Sequence, residues 1–169
     1  MFLGSKVGLN VQDVENFLAG FIKGMIMVDD LTKIEKCLTD ASGLEAELEE
    51  AFGDFEKGDI TDIMAGIKVM GKVVQELPTD LGDCQDMQGD LNRIETWAAI
   101  FKDPTALAKA IQENLFKNLS NVEQDVMKLT ADIKTDEMYY AGEDVAEILV
   151  NSLGPVPPAM PESLPITQW

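Results

Sequence analysis

Proline inside a helix removes a backbone hydrogen bond and clashes with the preceding turn, and this chain confines five of its seven prolines to its last fifteen residues. The segment Pro155-Val-Pro-Pro-Ala-Met-Pro-Glu-Ser-Leu-Pro-Ile-Thr-Gln-Trp169 therefore divides an extended Pro-rich arm, residues 154–169, from a body, residues 1–153, in which Pro78 and Pro104 are the only breaks of this kind. The arm carries Met160, Leu164, Ile166 and Trp169, with Glu162 as its one charged side chain. Leaving side chains such as Leu, Ile or Met in water forgoes about 1.5–3 kcal/mol each. The arm is thus expected to dock, either on its own domain or on a neighbouring copy or another protein.

In the body, apolar residues recur at steps of three and four, the period of a helix with one buried face. Asn10 is placed to cap a first helix with the stripe Val11, Val14, Phe17, Leu18, Phe21 and Met25. Asp29 and Asp30 open a second, with Leu31, Ile34, Cys37 and Leu38 inward and an end near Gly43. Leu44, Leu48, Phe52 and Phe55 mark a third helix. Asp59 caps a fourth, expected to stop at Pro78, and a fifth from about Asp80 presents Cys84, Met87, Leu91, Ile94, Trp97 and Phe101. Asp103-Pro104 pairs a capping side chain with proline at the first helical position. Ser120 and Glu123 have the spacing of a capping box ahead of Val122, Val126, Leu129 and Ile133. A last helix, around Met138 to Leu153, carries Tyr139, Tyr140, Val145, Ile148 and Leu149 before Gly154. The fold class expected is all-α, a compact bundle of about seven or eight short amphipathic helices.

The charge balance narrows the partners. With 31 acidic residues against 13 basic ones the formal net charge is −18. Nucleic acid is an unsuitable partner, because binding it requires Lys and Arg to displace condensed counterions, and anionic membrane surfaces repel the chain for the same reason. No stretch has the run of apolar residues needed for a membrane span. The absence of histidine excludes Ser-His-Asp, Cys-His and zinc-histidine chemistry. No catalytic, cofactor-binding or metal-ligating residue is assigned, and no cofactor is expected. Cys37 and Cys84 are too few for a structural zinc site and too far apart for a C-x-x-C pair. They are either two buried thiols or one bridge between helices, and the acidity favours the bridge and an oxidising compartment. The start Met-Phe-Leu-Gly-Ser-Lys lacks the pattern of a leader peptide. Asn118-Leu119-Ser120 is a sequon between two helices, which makes Asn118 a candidate for glycosylation.

Several clusters have ordinary readings. Gly58-Asp59-Ile60 resembles part of a calcium loop, but the register puts Gly53 and Met64 where that loop needs acids, so a capped turn is expected. Asp83, Asp86 and Asp90, with Asp80 at the edge, read as a solvated face. Gly20 and Gly24 form G-x-x-x-G in the first helix, where each glycine costs roughly 1 kcal/mol against alanine. Close approach of a neighbouring helix would compensate. The alternative is that this groove, with Ala65-Gly66 and Gly71, leaves room for an apolar ligand among the nine methionines.

Phe17-Leu-Ala-Gly20-Phe21-Ile-Lys-Gly24-Met25, the lone Cys37 and Cys84, and Tyr139-Tyr140-Ala-Gly142-Glu-Asp144-Val-Ala-Glu-Ile148-Leu149 together resemble small secreted helical proteins of ciliated protists, over most of the body but not the arm. The resemblance implies a removed signal peptide, a Cys37 to Cys84 bridge and an extracellular or vesicular setting. The expectation is a non-enzymatic secreted interaction or structural protein that self-assembles through its arm. A carrier of a lipid or other apolar small molecule between helices is the alternative.

Overall fold

The computed structural model describes residues 9–38 and 41–156. Its elements in chain order are α1 (Val11–Ile26), α2 (Leu31–Cys37), α3 (Ser42–Lys57), α4 (Ile60–Asp80), α5 (Gln88–Ala98), α6 (Pro104–Asn114), α7 (Leu119–Lys134) and α8 (Met138–Leu153), with 3-10 turns at Gln85–Met87 and Ala99–Lys102. The described residues contain no strand. The fold is the all-α bundle expected from the periodicity.

Caps fix several starts. Asn10 accepts from the Asp13 backbone N–H at 2.8 Å while Asp13 accepts from that of Asn10 at 3.1 Å, so two of the helix's orphan donors are satisfied reciprocally. Asp59 accepts from Asp62 N–H at 2.9 Å, behind Gly58 at φ 78°, where the left-handed conformation that closes α3 favours glycine. This is the capped turn expected there. Asp103 accepts from the N–H groups of Thr105 and Ala106, both at 3.1 Å, with Pro104 at the first helical position.

Four boundaries and two stripe positions differ from expectation. Helix α4 continues past Pro78 to Asp80: the proline removes one hydrogen bond, but Leu81 N–H still reaches Leu77 C=O at 2.8 Å and closes the turn beyond it. The fifth helix is not continuous from Asp80. A turn at 81–83 and a 3-10 segment precede α5, so Asp80, Asp83, Asp86 and Asp90 do not share one regular helical face. Helix α2 stops at Cys37, six residues short of Gly43, because Leu38 turns extended at ψ 114°. Helix α7 begins at Leu119 with Asn118 as its flanking residue and no side-chain cap, so the Ser120–Glu123 capping box does not form. Val11 and Tyr140 are exposed rather than inward, since each lies at the edge of its helix's apolar stripe.

The core is built around Phe17, Phe21, Phe52 and Phe55, all at most 2% exposed, with Phe17 edge-on to Phe52 at 5.3 Å between ring centroids. The most extensive helix pair is α1 with α8, followed by α3 with α4 and α7 with α8. The α1–α8 contact explains the glycines. A methyl added at Gly20 would strike the Tyr139 carbonyl, one at Gly142 the Phe17 carbonyl, and one at Gly24 the Ala146 methyl. Small residues on both helices let the two backbones touch. The other candidate spaces are filled as well, because the Phe55 ring covers Gly66 and the Phe101 ring covers Gly71. The glycines are packing contacts and leave no vacancy for a ligand.

Candidate functional site

Cys37, at the end of α2, and Cys84, just before the first 3-10 turn, stand at disulfide distance with Cα atoms 5.2 Å apart and a sequence separation of 47. Closing a loop of that length restricts the unfolded chain by roughly 4 kcal/mol in the chain-entropy account. The loop encloses α3 and α4, so the bridge clasps one half of the bundle.

Beside that half, α4, α6 and the Ala99–Lys102 turn border an open groove of about 430 Å³. Phe101, Leu107 and Ile111 give it apolar surface, and Lys68 and Lys72 stand on its α4 side. Both lysines are exposed, and Lys72 pairs with Glu47 at 3.6 Å. On a chain of net charge −18, the recess thus has two cations at its edge, of which Lys72 is paired with Glu47. Phe101 packs edge-on to Trp97 at 6.1 Å, and Trp97 Nε1 donates to the Gly154 carbonyl at 2.9 Å. The root of the arm is thereby tied next to the groove wall, and Val156 is buried just beyond it. Met160, Leu164, Ile166 and Trp169, the residues expected to anchor the arm, lie outside the described residues.

Asn118 is half-buried, and its side-chain amide donates to the Asn151 carbonyl at 3.1 Å. Asn151 in turn donates to Asp125 Oδ2 at 3.0 Å. The sequon asparagine thus takes part in an α7–α8 polar network.

That network leads to a feature the sequence reading missed. Asp125 and Asp144 are 4% and 7% exposed, and Asp30 is 1% exposed. Burial pushes Asp144 up to about 9, and hydrogen bonding of its protonated form to Asp132 and repulsion by that carboxylate add to the shift. Asp125 rises to about 7 through burial and the neighbouring Glu147, against the opposing Asn151 amide and Lys128. Asp30 rises to about 6 through burial and Asp90, opposed by Lys33, whose Nζ is 3.5 Å away. Glu47 is raised in the same way by burial and Glu76. The signal was present in register. Asp125 falls three residues after Val122 and four before Leu129, within the apolar stripe of α7, and Asp144 likewise follows Ala141 and precedes Ile148 on α8.

Among the described residues no group of three or more Cys, Asp or Glu is placed to hold a metal ion, and no helix is long and apolar enough to cross a membrane. A family model described as SctB-like, Secreted protein B-like, matches residues 3–153. No curated protein and no solved structure matches the chain.

Proposed function

The chain belongs to the Secreted protein B-like family, and from that premise we propose that it is a non-enzymatic interaction protein of the extracellular space or a vesicle lumen, which joins copies of itself through residues 157–169. The observation that carries this reading is the α4–α6 groove, an apolar recess flanked by Lys68 and Lys72 on an otherwise acidic molecule. The arm has matching chemistry, four large apolar side chains and the single charge of Glu162. In a polyproline-like conformation its thirteen residues beyond Val156 would span about 40 Å, enough to leave one body and reach another. Proline-rich segments lose little conformational entropy on docking. The likeness to secreted proteins of ciliated protists, and the bridge between Cys37 and Cys84, support the same setting.

The test is light scattering coupled to size exclusion, on the full chain and on a version ending at Val156, over a range of concentrations. Ending at Val156 keeps the Trp97–Gly154 bond, so the body stays as described. The reading expects oligomers from the full chain and a folded monomer from the shorter one. Two folded monomers would overturn it. Lys68→Glu, which would set like charge against the arm's Glu162 were the arm docked in the groove, is expected to shift assembly to higher concentration.

A carrier of an apolar small molecule is the second reading, favoured by the same apolar recess. It expects a monomer from which organic solvent extracts a ligand detectable by mass spectrometry, and a protein that yields none would exclude it.

A further inference from the structure

We propose that the α7–α8 seam is closed by shared protons: the carboxyl pairs Asp132 with Asp144 and Asp125 with Glu147 hold the two helices together while protonated and loosen the seam as the protons leave.

An ionised carboxylate can only accept hydrogen bonds, so two carboxyl groups that bond to each other must hold a proton between them. At this seam Asp144 and Asp125 are more than nine-tenths buried, Asp144 shares one recess with Asp132, Glu147 and Lys128, and the neighbouring carboxyl of the opposite helix, Asp132 for Asp144 and Glu147 for Asp125, favours the protonated form of each. Other donors are scarce. Asn151 serves one oxygen of Asp125, while Asp144 Oδ2 is buried without a hydrogen-bond donor. Lys128 is the cation at the site, and it stands 3.9 Å from Glu147 with both side chains largely exposed.

The remaining groups around Asp144 reinforce the demand for a proton. Helix α8 contributes Tyr140, Glu143 and Glu147, α7 contributes Lys128 and Asp132, and the connection between them contributes Glu137. On the other side of α8, α1 presents the backbone of Phe17 and Phe21 with Gly20 and Gly24, and α6 also packs against α8. One lysine thus faces five acids. An open recess of about 580 Å³ at the seam gives the protons a route to solvent.

The sign follows from linkage. Both buried aspartates titrate above their unfolded value, so between the unfolded and folded values the folded state holds more protons than the unfolded one. Stability is therefore fullest in acid and falls as pH rises, over a window that closes near 7 for Asp125 and near 9 for Asp144. A protein carried through an acidic lumen and released into neutral surroundings would cross the lower part of this window.

The experiment is urea unfolding of the full chain between about pH 5 and about pH 9, in about 1 M salt so that repulsion among exposed charges is screened to a few ångströms. The unfolding equilibrium constant of the wild type is expected to rise with pH, by up to about tenfold per pH unit for each proton held. Asp144→Asn, which keeps the shape and supplies a permanent donor, should flatten the slope above about pH 7 and roughly halve it below, whereas Asp125→Asn should roughly halve the slope below about pH 7 and leave it above. Glu113→Gln, an exposed change on α6, should follow the wild type. A wild-type stability that is level or rises with pH, or an Asp144→Asn slope equal to the wild type's, would overturn the proposal. If a variant does not fold, the infrared carbonyl band of protonated carboxyl groups in the native wild type at neutral pH decides: its presence supports shared protons and its absence rules them out.

Discussion

A methyl group added at Gly142 would collide with the Phe17 carbonyl, whereas one added at Gly89 meets nothing within 4 Å. Both positions are helical, so both substitutions gain about 1 kcal/mol of helix propensity, and the difference between them isolates the cost of prising α1 from α8. Gly142→Ala is expected to lose about 1–3 kcal/mol or more in urea unfolding, while Gly89→Ala should be neutral or slightly stabilising. Close packing at Gly20 and Gly24 was legible because a helix that carries two glycines needs compensation, yet nothing in their spacing identified α8 as the partner. Asp125 and Asp144 were legible only as acids in register with the apolar stripes of α7 and α8. A carboxylate is solvated by default, and only the arrangement of α7 against α8 reveals that these two are not.

Helix starts were the most readable elements, because a cap is a local arrangement. Asn10, Asp59 and Asp103 each make the hydrogen bonds that their positions suggest. Asp103→Ala is expected to cost about 1 kcal/mol and to speed amide exchange in the first turn of α6, which borders the groove. Unchanged exchange at 105–107 would show that Pro104 alone sets the start. The α4–α5 connection was less readable. Its course depends on Cys84 reaching Cys37, a non-local tie that overrides the apolar spacing running from Cys84 to Phe101. The groove itself was invisible in sequence, since its walls come from separate helices and its lysines look like ordinary surface charges.

For the molecule as a whole, the bridge and the charge oppose each other. Reduction of Cys37–Cys84 is expected to lower stability by about 2–5 kcal/mol, a large share of the 5–15 kcal/mol typical of a domain. Thermal unfolding with and without a reductant measures it, and an unchanged midpoint would mean that the loop is already restrained in the unfolded chain. Net charge of −18 predicts that the reduced protein regains part of this loss in salt, through screening of self-repulsion.

The pairing of α1 with α8 also sets a timetable. A ribosome delivers the chain from its N-terminus at about 5–20 residues per second, so α1 emerges with its apolar face and bare glycines long before Tyr139, Gly142 and Ala146 exist to cover them. The helix made first among these eight waits for the one made last. Native closure of the bundle therefore waits for the synthesis of α8, and until then the protein remains the kind of open chain that a secretion channel can thread.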